Sequence, residues 1–251
     1  MLHYSDGEFV TITMARPERR NALSTDMLLA LSDAFRKAGD SGARGVVLAA
    51  EGPAFSAGHD LGELATLDEA GMRKLFAICA ETMLAIQRIP QPVVAQVPGP
   101  AFAAGCQLVA ACDLAVAADT ATFAAPGGKG GLFCHTPMVA IGRAVGFKHG
   151  LEMALTGDAI DAPTALEWGL VNRVVPAADL EAATRELLGR ATRGSRTSKG
   201  IGKQAYYAQM SMGLDEAYEY ATDVMARQAM HPAALEWYRA FVEKREAKFE
   251  G

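Results

Sequence analysis

Two runs of small residues carry the most chemically suggestive pattern in the chain: Ala54-Phe55-Ser56-Ala57-Gly58-His59-Asp60-Leu61 and Gly99-Pro100-Ala101-Phe102-Ala103-Ala104-Gly105-Cys106-Gln107-Leu108. The second leads from an apolar stretch, Pro92 to Val97, into a segment predicted to become helical near Ala103. The first turn of a helix presents unpaired N–H groups and a partial positive charge, and small side chains let a ligand oxygen approach them. A second N–H from the turn after Gly58 would complete an oxyanion hole, a pair of donors for a carbonyl oxygen gaining negative charge. Side chains with proton chemistry lie in or near these runs. His59 precedes Asp60, which could orient the ring or cap the following helix, and Cys134-His135 follows Gly131-Leu132-Phe133. An imidazole exchanges protons near neutral pH, whereas a thiol becomes a nucleophile once its pKa is lowered; beside Phe133, Cys134 also reads as packing. Glu63, Glu69 and Glu81 follow the first run and could reach inward.

These groups need a scaffold that brings distant turns together. Phe9–Met14 alternates as a strand does, and Arg16-Pro17 closes it with a turn. Ser24 or Thr25 can cap a helix through Met27, Leu28, Leu31 and Phe35. Val46–Ala50 is a short continuous apolar run, as a strand covered on both faces would be; Val93–Val97 and Leu114–Ala117 are two further buried strands, and Leu170–Val175 is a later one. Glu63–Ile89 reads as helix in its second half, while the polar Glu63–Gly71 suits a mobile flap. Strand and helix alternate, which predicts α/β layers rather than a bundle. After Pro176 helical patterns follow one another at Ala177–Arg193, Ser195–Met210, Leu214–Met230 and Pro232–Lys248. A boundary near Gly194 divides a core, residues 1–194, from a helical region, 195–251. Arg196, Lys199 and Lys203 are expected on a solvated basic helix face.

The 251 residues suffice to bury a substantial core, and the balance of 50% hydrophobic to 21% charged residues describes a globular protein. A net charge of −5 supplies no polybasic face, so no nucleic-acid partner is expected. The four cysteines lack C-x-x-C spacing and read as buried free thiols, and His3, His149 and His231 have no metal-ligand spacing, so no metal is expected. No run of about 18 apolar residues predicts a membrane span, and the first residues lack a basic segment followed by an apolar one, which predicts a cytoplasmic location. Gly127-Gly128-Lys129-Gly130-Gly131 has neither P-loop nor Rossmann spacing.

Motifs in order, Arg16-Pro17-Glu18-Arg19-Arg20-Asn21-Ala22-Leu23, the two small-residue runs, Ala111-Cys112-Asp113-Leu114-Ala115-Val116-Ala117 and Ala165-Leu166-Glu167-Trp168-Gly169-Leu170-Val171-Asn172, resemble the enoyl-CoA hydratase/isomerase (crotonase) family. Ser56–Leu61 and Gly131-Leu132-Phe133-Cys134-His135-Thr136-Pro137 are similar to one subgroup within it. The resemblance implies an α/β crotonase-like spiral of repeated ββα units, with a C-terminal helical region that builds homotrimers or hexamers. It implies an acyl-CoA thioester partner, coenzyme A being part of the substrate and no separate cofactor being required. The oxyanion donors would be the N–H groups of His59 and Ala104. CoA contacts would fall at Arg20, Ala57, Lys244 and Arg245, with the last two on the final helix.

The chain departs from the family at the two glutamates that hold water and exchange the α-carbon proton: those positions are Gln107 and Gly127. A carboxamide can hydrogen-bond a water but does not titrate, and glycine offers nothing. His135 is the leading replacement, since related enzymes with other chemistry place an acid in this segment, and His59 is a second. Three functions follow: a hydratase-like lyase acting through an enolate, a non-catalytic acyl-CoA-binding protein, or another thioester reaction such as hydrolysis or decarboxylation in the same pocket. A Ser–His peptidase arrangement is absent from the matching positions.

Overall fold

The computed structural model describes residues 1–249. The chain opens with strand β1 (Leu2–Ser5), which lies antiparallel to β2 (Phe9–Met14). The alternation of β2 sends Val10, Ile12 and Met14 into the core, where they join Met27, Leu28, Leu31 and Phe35 of helix α1 (Thr25–Gly39). Ser24 caps α1, its side chain accepting from Met27 N. Strand β3 (Gly45–Ala50) follows, then α2 (Leu61–Leu64), α3 (Glu69–Arg88), β4 (Val93–Val97), β5 (Ala101–Phe102) and α4 (Ala104–Ala111). Next come β6 (Leu114–Ala118), β7 (Thr122–Ala124), α5 (His135–Val145), α6 (Phe147–Thr156), β8 (Ile160–Asp161), α7 (Ala162–Glu167) and β9 (Arg173–Val175). The chain finishes through α8 (Leu180–Ala191), α9 (Arg196–Gln209), α10 (Leu214–Ala229) and α11 (Pro232–Val242).

The larger sheet runs β1-β2-β3-β4-β6-β9 and is parallel from β2 onward. Its central strands are apolar except for Gln96 in β4, because both faces are covered. One face meets the main core, and on the other Leu180 and Leu188 of α8 pack over Val47, Val94 and Val116. The smaller sheet runs β5-β7-β8 and is continued by single bridges from Ser56 to Ala101 and from Leu23 to His59. Successive turns of chain therefore each give one strand to the large sheet, a short extended segment to the small one, and then a helix. This is the ββα spiral, and it stacks the Gly58 turn beside the start of α4.

The polar stretch expected as a flap is structured. Asp60 caps α2 through Gly62 N and Glu63 N, and Asp68 caps α3 through Gly71 N. Glu63 reaches back to α1, accepting from Thr25 N at 2.9 Å and from its hydroxyl at 2.5 Å, whereas Glu69 pairs with Arg73 and Glu81 with Arg88 at the surface. Glu69 and Glu81 therefore do not reach inward, while Glu63 lies near His59 with its oxygens taken by Thr25. The last helix also stops short of Lys248: it ends at Val242, and Lys244 adopts the left-handed conformation with φ 54°. Lys244 and Arg245 thus lie beyond the helix, and the Arg245 guanidinium is held by Glu236 and Glu243.

The expected basic face of α9 is not uniformly solvated. Lys203 is turned inward, with its ammonium 2.7 Å from Asp113 and also donating to the carbonyls of Ile86 and Gln91. Asp113 accepts from Val93 N at 2.6 Å and from the Tyr207 hydroxyl at 2.8 Å as well. One carboxylate thereby ties α9 to the ends of β4 and β6. By contrast α10 buries no residue and α11 only Ala240, leaving Leu214, Tyr218, Met225, Trp237, Phe241 and Val242 exposed.

Candidate active site

The site forms where two turns of the spiral touch. Phe55 N donates to Pro100 O at 3.0 Å and Phe102 N to Ser56 O at 2.9 Å, so the small-residue runs lie side by side. Gly58 turns with φ 92°; a Cβ there would lie 3.0 Å from Phe102 O and 3.3 Å from Ala104 N, so only glycine permits both the turn and the approach. Ala103, which precedes α4, also has positive φ (49°, ψ −117°), unusual for alanine, and its N–H is secured by Ala124 O at 2.9 Å. Such strain costs on the order of 1–3 kcal/mol and concentrates at functional positions. No side chain caps α4. Among the described residues, neither His59 N nor Ala104 N finds an acceptor.

Polar residues from the first motif hold the turn. Asn21 is fully buried; its amide donates to Glu51 O and Ala54 O, and its oxygen accepts from Arg16 N at 2.9 Å. The Ser56 hydroxyl donates to Asn21 O at 2.8 Å and accepts from Gly58 N at 3.2 Å. Asn21 and Ser56 are positioning residues that sequence reasoning placed in motifs without assigning a task. For Ser56 the available signal was a hydroxyl within a small-residue run; Asn21, following Arg19-Arg20 in a charged stretch, offered none. Arg20 and Ala57, two of the expected CoA contacts, meet through Ala57 N to Arg20 O at 3.0 Å, and both are exposed.

The His59 ring lies against Phe76 of α3, edge to face with centroids 5.4 Å apart. Its Nδ1 is 3.2 Å from Leu23 O. A carbonyl only accepts, so Nδ1 carries the proton and Nε2 is the bare acceptor. Nε2 is buried and, among the described residues, has no partner. Burial holds the imidazole pKa below the ordinary histidine value, opposed by the Leu23 carbonyl and the nearby Glu63 carboxylate. Gln107 is buried in the first turns of α4, and Cys79 Sγ lies 3.9 Å from its oxygen. Phe76 and Cys79 are one turn apart on α3, so one helix face meets both His59 and Gln107.

Gly127 explains its own identity. A Cβ there would collide with Leu132 O and stand 2.7 Å from Cys134 Sγ. The loop 126–134 has closed over the position, with Cys134 Sγ accepting from Gly127 N at 3.3 Å and Leu132 N donating to Gly127 O at 2.9 Å. The Cys134 thiol is buried and its pKa raised by desolvation, so it serves packing rather than nucleophilic attack. Cys79 is likewise pushed up to about 12 by burial. His135 begins α5, is exposed, and contacts Phe133 with ring centroids 5.0 Å apart; its described contacts do not join it to His59, Ala104 or Gln107. Among the described residues, no group of three His, Cys, Asp or Glu converges on a metal position, and no helix is long and apolar enough to cross a membrane.

The family model for enoyl-CoA hydratase/isomerase matches residues 6–251. Enoyl-CoA hydratase domain-containing protein 3, mitochondrial, from Mus musculus is 43% identical over 236 residues, covering 93% of this chain and 79% of the relative; the Homo sapiens protein of that name is 42% identical over 238 residues, 93% and 78% respectively. Among solved structures, an enoyl-CoA hydratase from Mycobacterium smegmatis superposes with a TM-score of 0.95 at 45% identity, covering 98% of each chain. Human enoyl Coenzyme A hydratase domain-containing protein 3 does so with 0.92 at 39%, covering 98% of this chain and 99% of that one. With its spiral fold and its motifs in order over nearly the whole length, the chain belongs to the enoyl-CoA hydratase/isomerase family.

Proposed function

We propose that the protein binds an acyl-CoA thioester with its carbonyl oxygen between the N–H groups of His59 and Ala104, and adds water to a 2-enoyl thioester through an enolate. The carrying observation is that pair of acceptor-free donors, contributed by successive turns of the spiral and kept adjacent by the two positive-φ residues Gly58 and Ala103. Two preorganised donors draw electron density onto the thioester oxygen, which makes C3 electrophilic and stabilises the enolate that follows attack. The Gln107 carboxamide orients water in this reading, and Gly127 takes no part beyond letting its loop close. CoA runs over Arg20 and Ala57, with Lys244 supplying positive charge for its phosphates, whereas the Arg245 guanidinium is already taken by Glu236 and Glu243. The exposed apolar side chains of residues 195–251 support assembly into a homotrimer or hexamer.

Hydration of crotonyl-CoA, followed by loss of enoyl thioester absorbance, tests the reaction, and light scattering tests the assembly. Turnover supports a hydratase-like lyase. Raised melting temperature without turnover instead supports a non-catalytic acyl-CoA-binding protein or an enzyme for another thioester reaction, a reading favoured by the closed loop at Gly127.

A further inference from the structure

The two carboxylate positions are lost in different ways. Gln107 keeps a polar group in the site, whereas Gly127 is sealed by Leu132 and Cys134. A hydration still needs a group that takes a proton from water and gives one to C2. Cys134 is committed to Gly127 N–H, Glu63 to Thr25, Glu69 and Glu81 to surface arginines, and His135 stands exposed at the head of α5. One titratable group of the site has a fixed tautomer and an unused lone pair: the His59 imidazole.

We propose that His59 Nε2 is the single proton carrier of the reaction, doing in sequence what two carboxylates do elsewhere in this family. The assignment rests on the oxyanion reading above. A thioester oxygen bound to His59 N–H places C2 and C3 one and two bonds past the carbonyl carbon, within the span of the same residue's side chain. Gln107 and the His59 ring meet one face of α3 through Cys79 and Phe76, so the carboxamide and the imidazole lie along the same side of one helix. Phe76 is the side chain met by the imidazole. In the step itself Nε2 takes a proton from water as the oxygen bonds to C3. The C2–C3 π pair moves to C1–C2, and the carbonyl π pair moves to the oxygen held by the two N–H groups. The imidazolium then returns the proton to C2, the carbonyl re-forms, and the product is the 3-hydroxyacyl thioester with His59 regenerated. The Leu23 carbonyl holds Nδ1–H throughout and so steadies the imidazolium.

The test uses the full chain with crotonyl-CoA and the variants His59→Gln and His59→Ala. Because the oxyanion donor is backbone, both variants are expected to keep the thermal shift given by crotonyl-CoA and a similar KM, while kcat falls by about 10²–10⁴-fold. Added imidazole is expected to restore part of the turnover to His59→Ala, which a purely structural role would not allow. NMR of the protein with labelled histidine is expected to show the Nδ1–H tautomer for His59 and a change at Nε2 on adding crotonyl-CoA. Turnover by His59→Gln within threefold of wild type, an Nε2–H tautomer, or binding by the wild type without turnover would each overturn the assignment. Absence of any thermal shift in the wild type would overturn the thioester reading as well, which separates the two failures.

Discussion

Two polar clusters in this molecule are built on opposite terms. Around Asp113 the carboxylate receives Val93 N–H, the Tyr207 hydroxyl and the Lys203 ammonium, and Lys203 spends its remaining donors on Ile86 and Gln91 carbonyls. Around His59 the inventory does not close: among the described residues, two backbone donors and one imidazole nitrogen have no protein partner. Unmade hydrogen bonds cost stability where groups are buried, so a fold that partners both Asp113 and Lys203 and leaves the His59 donors and Nε2 open has separated anchorage from chemistry. At Asp113 and Lys203 burial is still the largest influence, pushing the carboxyl up and the ammonium down, and the mutual pairing opposes it on both sides. Such a pair stabilises little relative to an apolar substitute but is expensive to break from one side.

The largest expected effect follows from that asymmetry. Lys203→Met leaves Asp113 buried with its principal countercharge gone, and should cost about 3–5 kcal/mol by chemical denaturation. A loss under about 1 kcal/mol would show that α9 is not anchored there. Tyr207→Phe removes one hydrogen bond to the charged oxygen and should cost about 1.5–3 kcal/mol. Gly127→Glu, which formally restores a family carboxylate, should instead destabilise by roughly 1–3 kcal/mol through overpacking against Leu132 and Cys134, with no gain in crotonyl-CoA hydration. Faster hydration in that variant would refute the closed-loop account.

On the open side the stability effects should be small and the functional ones large. Gln107→Ala should change stability by about 1 kcal/mol or less, since its described partner is a weak thiol contact at 3.9 Å, yet lower hydration at least about tenfold by releasing the water. The pH dependence gives the finest discrimination. Burial lowers the folded-state pKa of His59, so the unfolded chain binds the proton more readily. This contribution is therefore complete above the ordinary histidine value near 6.5 and is lost as pH falls from there toward the folded value. His59→Gln should flatten that part of the stability profile, and an unchanged profile would contradict the buried neutral ring.

Much of the scaffold was legible in sequence, for reasons that also explain what was not. Strand β2 alternates, β3 and β6 are continuous apolar runs, β4 is one broken by Gln96 alone, and α1 carries its Ser24 cap, so each has a local signature. Strands β5 and β8 have two residues each and no periodicity; they exist because neighbouring turns of the spiral lie beside them. The end of α11 at Val242 was invisible, since the helical pattern continues and only Lys244's left-handed backbone breaks it. Lys203 read as a surface charge because nothing in its helix announces Asp113, which is distant in sequence. At the site, His59 and Gln107 were visible as residue types in glycine-rich turns. The filling of Gly127's side-chain space by Cys134 is a tertiary event with no sequence signature.

The oxyanion pair is tested most directly by comparing two ligands that differ only at the carbonyl: butyryl-CoA and the S-butyl thioether of CoA, each titrated against the protein by calorimetry. Two hydrogen bonds to the thioester oxygen predict that butyryl-CoA binds tighter by on the order of tenfold or more, at about 0.5–1.5 kcal/mol for each bond. Equal affinity for the thioether would mean that His59 N–H and Ala104 N–H do not hold the carbonyl, and would contradict the account.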